Sequence, residues 1–170
     1  SLRATHSVRA RVDTPAQIEE SFDPIAYEKG GALLRMIEHY VGAGTFRRGI
    51  NAYLRAHAYD NATSEDFWKA MAAASGKPVD RILPTFLQQP GAPLISVSLS
   101  CNARGRTTIT LRQQRFVLDA DPSGPDAPSR WQVPVCVKAP GQASATCSVL
   151  RDPVQTMTLP TSTCASWVFA

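Results

Sequence analysis

The chain has 170 residues, with 18 basic and 14 acidic side chains, a formal net charge of +4, and 44% hydrophobic residues. This composition lies in the ordinary range of globular proteins and excludes intrinsic disorder, collagen and coiled coils. No run approaches the ~20 apolar residues that span a bilayer, and the basic residues are not clustered to follow phosphates, so we predict neither a membrane span nor a nucleic-acid partner.

The first part of the chain, residues 1–92, shows the spacing of apolar residues that is typical of helices. Thr14, Pro15 and Gln17 form the pattern of a capping box with proline at the first helical position, which predicts a short helix. A second helix is predicted from about 24 to 41, where glycines end the pattern. Thr45 is the predicted cap of a third helix that ends near Ala58. A fourth helix is predicted after the caps and acids at 63–66 and is ended by Gly76, and a fifth is opened by Pro78 and contains Val79 to Phe86.

The second part, residues 93–170, changes to the period of two that β-strands show. Strands are predicted near 94–99, 107–116, 131–137, 143–150, 154–159 and 166–169, with turns at 102–105 and at Gly141–Gln142. The prolines and glycine between 119 and 129 predict a loop outside any strand ladder. Short strands with such turns indicate a small antiparallel β-sandwich. The predicted fold class is therefore α+β, an all-α segment followed by this sandwich.

All four cysteines lie in the strand-rich part, where they admit three pairings. A hairpin turn centred on Gly141 and Gln142 places Cys136 opposite Cys147, within reach of a disulfide. Cys101 and Cys164 remain as the second pair. Four buried thiols and a metal site stay open as alternatives. Disulfides would indicate an oxidising compartment, so we expect a periplasmic or secreted protein.

No local motif in the chain predicts a metal site or a nucleophile. The three histidines, His6, His39 and His57, have no H-E-x-x-H or comparable spacing, and we interpret each as a core or surface residue. There is no G-x-S-x-G, no phosphate-binding loop and no cysteine with a histidine close in sequence. Metal ligands are therefore predicted to be absent from this chain.

One segment resembles a known family. Residues 22–36 read F-D-P-I-A-Y-E-K-G-G-A-L-L-R-M and are preceded by T-P-A-Q-I at 14–18. They resemble the zinc aminopeptidases of the aminopeptidase N and leukotriene hydrolase family, at the segment that follows the zinc-binding helices. The N-x-T-x-x-D-F-W pattern at 61–68 and T-F-L-Q-Q-P-G-A-P-L at 85–94 extend the likeness along the chain.

The resemblance implies an interior fragment of a larger enzyme. Residues 1–92 would be the C-terminal helical part of a thermolysin-like catalytic domain, and 93–170 a β-sandwich domain that is incomplete at its C-terminal end. The family's G-x-M-E-N and H-E-x-x-H motifs and its third zinc ligand precede this segment and are absent. The implied parent uses zinc to remove amino-terminal residues from peptides. The fragment alone is expected to bind no zinc, to be inactive and to need the remainder of the catalytic domain as its partner.

The resemblance also assigns one catalytic residue. Tyr27 matches the family tyrosine whose phenol, a neutral donor, hydrogen-bonds the oxyanion of the tetrahedral intermediate. The alternative is an aromatic side chain that only packs in the first turn of a helix. Glu28 and Lys29 match the family as well, in either a functional or a structural role, and Gly30 and Gly31 are expected to permit close helix packing.

Two other classes of function stay open at this point. In the first, the helices and sandwich form a noncatalytic module that binds a peptide or a partner protein. In the second, the chain is a stand-alone structural domain. An intact zinc motif upstream of Ser1 in the parent would favour the enzyme over both.

Overall fold

A computed structural model describes residues 5–9, 12–117 and 129–170. The chain divides into two compact units, one spanning Thr5–Pro90 and the other Gly91–Ala170. Most of the predicted loop at 119–129 lies outside the described residues. The mixed α+β class predicted from the sequence is confirmed, since helices fill the first unit and antiparallel strands the second.

The first unit is helical. Its elements are α1 (Pro15–Glu20), a π-helical segment (Ile25–Lys29), α2 (Gly30–Val41), α3 (Ala43–Ala56), α4 (Ser64–Ser75) and α5 (Val79–Leu87). The core of the unit comes from the buried apolar residues of α2, α4 and α5, namely Leu33, Ile37, Trp68, Met71, Val79, Ile82, Leu83 and Phe86.

The capping box predicted at Thr14 is confirmed, and α4 begins with a second one. The Thr14 hydroxyl accepts from the backbone N–H of Gln17, and the Gln17 side chain accepts from the N–H of Thr14. Thr63 and Asp66 make the same reciprocal contacts at the start of α4. Each box satisfies backbone donors that a helix start leaves unpaired.

The helix predicted over 24–41 is present from Ile25 to Val41, but its first part is a π-helical turn that the sequence did not indicate. The predicted cap of α3 is wrong. Thr45 does not cap α3, because Gly42 adopts φ 88°, and this conformation lets the next helix begin at once at Ala43. The Thr45 hydroxyl instead accepts a 3.0 Å hydrogen bond from Arg48.

The second unit contains two antiparallel sheets. β1 (Pro93–Cys101), β2 (Thr107–Arg115) and β5 (Val154–Thr158) form one sheet in the order β1-β2-β5, and β3 (Val133–Val137) pairs with β4 (Thr146–Leu150) in the other. Alternate residues of β2 and β3 are buried, as expected of strands with one face on a core. Side chains join the sheets, including a 3.1 Å hydrogen bond from Gln155 of β5 to Ser148 of β4.

The predicted strand boundaries need three corrections. The strand predicted from 131 begins at Val133, because the N–H of Trp131 is bound by the Gln113 side chain at 3.0 Å rather than by a neighbouring strand. The strand predicted from 143 begins at Thr146. The strand predicted at 166–169 is a single bridge between Lys138 and Phe169, since the segment before it is held by side-chain contacts to Thr107.

Both predicted disulfides are present in the structure. Cys136 of β3 lies directly opposite Cys147 of β4 in the strand register, with their Cα atoms 4.0 Å apart. Cys101, at the end of β1, bonds Cys164 with a Cα separation of 5.6 Å. The alternatives of four free thiols or a cysteine metal site are therefore wrong.

Candidate functional site

Tyr27 lies in the π-helical turn that leads into α2. Its N–H donates to the carbonyl of Asp23 at 3.2 Å, and its own carbonyl accepts from the N–H of Gly30. The side chain is 67% exposed, and its ring centroid lies 6.5 Å from that of Phe22. The ring is therefore exposed in this chain, and both the catalytic role and the packing role weighed for it stay predictions. Short π-helical turns inside helices are frequent at functional sites.

Tyr27 borders an open groove of about 420 Å³ on the helical unit. Its walls are apolar and come from the π-helical turn, α2, α4 and α5. They include Leu34, Phe67, Trp68 and Leu87. A donor at the edge of such a surface is more effective than one in bulk water, because displacing water lowers the local dielectric constant.

Gly30 and Gly31, which were expected to permit close helix packing, do not do so among the described residues. A Cβ atom built on either glycine meets no atom within 4 Å. Both glycines line the groove beside Tyr27 instead. Side chains at these two positions would therefore project into the groove, and glycine keeps it open.

Asp23 organises the turn that carries Tyr27. One carboxylate oxygen accepts from the N–H of Ala26 at 2.8 Å, and the other lies 2.6 Å from Nε2 of His6. The hydrogen bond from Ala26 and the contact with His6 lower the pKa of the Asp23 carboxyl. Sequence reasoning missed this pairing, because the two residues are 17 positions apart and no motif joins them.

Lys29 ties the same turn to the end of the helical unit. Its ammonium group donates a 3.1 Å hydrogen bond to the carbonyl of Gln89. Partial burial lowers the pKa of Lys29, since desolvation disfavours the charged form. Glu28 is exposed. The hydrogen bond of Lys29 gives that residue a structural role. For Glu28, the functional and the structural role expected from the sequence both stay open.

The described residues do not fit a zinc site. Within residues 5–9, 12–117 and 129–170, no three His, Cys, Asp or Glu side chains are grouped to hold a metal ion. The cysteines are in disulfides, His39 contacts the carbonyl of Arg35 at 2.8 Å, and the His57 ring lies 5.5 Å from that of Tyr53. In that same part of the chain, no helix is long and apolar enough to cross a membrane.

The first 86 residues match the sequence profile described as the peptidase family M1 domain. The chain belongs to peptidase family M1. It is 41% identical over 137 residues to tricorn protease-interacting factor F2 of Thermoplasma volcanium, a match that covers 81% of this chain and 16% of that protein.

Two animal aminopeptidases show similar likeness. Glutamyl aminopeptidase of Bitis rhinoceros is 40% identical over 139 residues, covering 79% of this chain and 14% of that protein. Puromycin-sensitive aminopeptidase of Caenorhabditis elegans is 31% identical over 173 residues, covering 99% of this chain and 18% of that protein. The chain thus spans less than a fifth of the length of these relatives.

Proposed function

We propose that this chain is part of a zinc-dependent aminopeptidase that hydrolyses amino-terminal residues from peptides, with Tyr27 as its one catalytic residue in this segment. The observation that carries the proposal is the position of Tyr27, an exposed phenol beside an apolar groove, in the part of the chain that matches family M1. The aminopeptidase names of the relatives support the same reaction class.

The role proposed for Tyr27 follows from the chemistry of peptide hydrolysis. Attack of water on the scissile carbonyl places a negative charge on its oxygen, and the phenol O–H donates a hydrogen bond to that oxygen. Such a donor accelerates the reaction when it binds the transition state more tightly than the substrate. Removing one donor of this kind typically costs a factor of about 10²–10³ in rate.

The zinc site of this enzyme belongs, in our proposal, to residues of the parent outside the chain. The metal would polarise the scissile carbonyl there. The described residues offer no ligand set, so the contribution of this segment is the phenol and the groove. The chain alone is then expected to bind no zinc tightly and to be inactive.

We also propose that residues 1–92 complete a thermolysin-like catalytic domain and that 93–170 form a β-sandwich domain. The remainder of the catalytic domain is the proposed partner of the helical unit. Phe22, Tyr27 and Leu34 are large, exposed side chains on that unit, as expected of a surface that another part of a protein covers. The two disulfides support a periplasmic or secreted location.

The test is hydrolysis by the intact parent, with metal analysis. Aminoacyl anilides with a free amino group are expected to be cleaved, and the same compounds with an acetylated amino group are not, because an aminopeptidase binds the free amine. About one zinc ion per parent chain should accompany the activity. A pure, folded and zinc-free parent that cleaves neither compound would reject the proposal in favour of a noncatalytic binding module.

A further inference from the structure

We propose that His6 is a positioning residue for Tyr27, acting through the Asp23 carboxylate at the start of the turn that carries the phenol. The inference rests on the proposed function, because it assigns a purpose to the geometry around Tyr27. His6 lies outside the groove and is not expected to touch the substrate. Its role is to fix the backbone of the π-helical turn that carries the catalytic phenol.

Asp23 holds the turn by two different groups. Its carboxylate accepts from the N–H of Ala26 at 2.8 Å, and its backbone carbonyl accepts from the N–H of Tyr27 at 3.2 Å. A carboxylate that accepts from the third residue onward is the usual cap of a helix start. The carboxylate therefore fixes the amide of Ala26, the residue before Tyr27, while the Asp23 carbonyl holds the amide of Tyr27 itself.

His6 fixes the orientation of the Asp23 side chain. Its Nε2 lies 2.6 Å from the carboxylate oxygen that Ala26 does not use, and its Nδ1 lies 2.8 Å from the carbonyl oxygen of Ser7. Both ring nitrogens thus face acceptors. Only the imidazolium carries a proton on each nitrogen, so only the charged ring donates both hydrogen bonds. The geometry consequently selects the charged form of His6.

The charges around His6 agree with this selection. Among the described residues, the groups that act on the ring are the Ser7 carbonyl and the Asp23 carboxylate, which raise its pKa, and the Lys29 ammonium, which lowers it. The net effect raises the pKa of His6 above 6.5. Both hydrogen bonds are therefore present below this raised pKa, and one of them is lost as the pH rises through it.

The kinetic consequence is specific to a positioning role. Tyr27 acts on the oxyanion of the transition state, so displacement of the phenol lowers kcat and leaves KM nearly unchanged. Displacement by about 1 Å can cost a factor of about 100 in rate. Loss of one contact two steps away from the phenol should cost less, and we expect about a tenfold fall in kcat.

The experiment compares variants of the intact parent by kinetics and by hydrogen exchange of the peptide that spans residues 22–30. His6→Ala removes both contacts of the ring. Asp23→Asn keeps an oxygen for the N–H of Ala26 but removes the charge that favours the imidazolium. His39→Ala is the matched control, because that ring is exposed and its hydrogen bond goes to the carbonyl of Arg35 on its own helix. Exchange in the α4 peptide reports whether each variant is folded.

We expect His6→Ala to lower kcat about tenfold with KM within about twofold, and to speed exchange at residues 22–30 while α4 is unchanged. Asp23→Asn should give a similar loss, and the double variant should lose no more than either single one, since both changes break one interaction. In the unaltered parent, kcat should fall as pH rises through the raised pKa of His6, and His6→Ala should abolish that limb.

Three results would overturn the positioning role. The first is unchanged exchange at residues 22–30 in His6→Ala. The second is full kcat in that variant, and the third is an alkaline limb that is the same as in the unaltered parent. Failure of the proposed function looks different, because an unaltered parent without activity would still show the dependence of residues 22–30 on His6 if the pair orders the turn. The exchange measurement therefore tests the pair independently of catalysis.

Discussion

Replacing Gln113 with methionine should destabilise the strand-rich unit far more than its size suggests. Gln113 is only 7% exposed. Its amide nitrogen donates to the carbonyls of Trp131 and Asp152 at 3.1 and 3.0 Å, and its oxygen accepts from the N–H of Trp131 at 3.0 Å. One side chain thus satisfies three backbone groups. Two of them belong to Trp131, just before β3, and one belongs to Asp152, between β4 and β5.

The cost follows from leaving those groups unpaired. Methionine has a similar shape but offers no partner, and a buried polar group without a hydrogen bond costs about 1–3 kcal/mol. The two groups of Trp131 are buried and that of Asp152 is partly buried, so we expect a total loss of roughly 3 kcal/mol after the gain from burying an apolar side chain. A loss of that size speeds exchange through global opening of the unit roughly a hundredfold.

Amide hydrogen exchange of β2 measures this loss in the strand-rich unit without interference from the helices. Gln114→Met is the matched control, because that neighbouring side chain is exposed on the other face of the strand. It should change the opening free energy by less than about 0.5 kcal/mol. If the two variants exchange at the same rate, the Gln113 contacts contribute nothing measurable and the reasoning is refuted.

Three further predictions concern stability. Met71→Ala removes a fully buried side chain from the helical core and should lower the free energy of unfolding by about 2–5 kcal/mol in urea titrations; a loss below about 1 kcal/mol would contradict this packing. Removing the Cys101–Cys164 bridge should lower the free energy of unfolding by about 4 kcal/mol, and removing Cys136–Cys147 by about 3 kcal/mol, because the longer sequence separation, 63 against 11, restricts the unfolded chain more. Equal losses in paired serine variants would argue against this chain-entropy explanation. Hydrogen bonds from the side chain and backbone of Thr63 lower the pKa of Asp66, so protection of the start of α4, measured against an unfolded peptide at the same pH, should fall as pH falls through that lowered pKa. Asp66→Asn should remove this loss of protection, and its persistence in the variant would locate the effect elsewhere.

The features that sequence reasoning found are those with a local physical cause. The capping box at Thr14 depends on residues three positions apart, and the Cys136–Cys147 pair follows from the symmetry of one hairpin. β2 and β3 show their period of two because one face of each packs on a core. These features need no knowledge of distant contacts, and the structure contains all of them.

The features that it missed depend on backbone freedom or on distance. Gly42 ended α2 as predicted, but its positive φ also began α3 at once, so the hydroxyl of Thr45 was mistaken for a cap. The π-helical turn under Tyr27 has no distinctive composition. The His6–Asp23 contact joins residues 17 positions apart, and their spacing matches no pattern that predicts a contact. Tyr27 itself was found only through the resemblance of its segment to a family.

The most direct test of the account is the kinetics of Tyr27→Phe in the intact parent, beside Tyr59→Phe. Both changes remove one phenol oxygen, but Tyr59 is fully exposed and lies outside the groove. We expect Tyr27→Phe to lower kcat at least about a hundredfold with KM nearly unchanged, and Tyr59→Phe to keep full activity. Full activity in Tyr27→Phe, or a fall that resides in KM alone, would contradict the assignment of this tyrosine to the oxyanion.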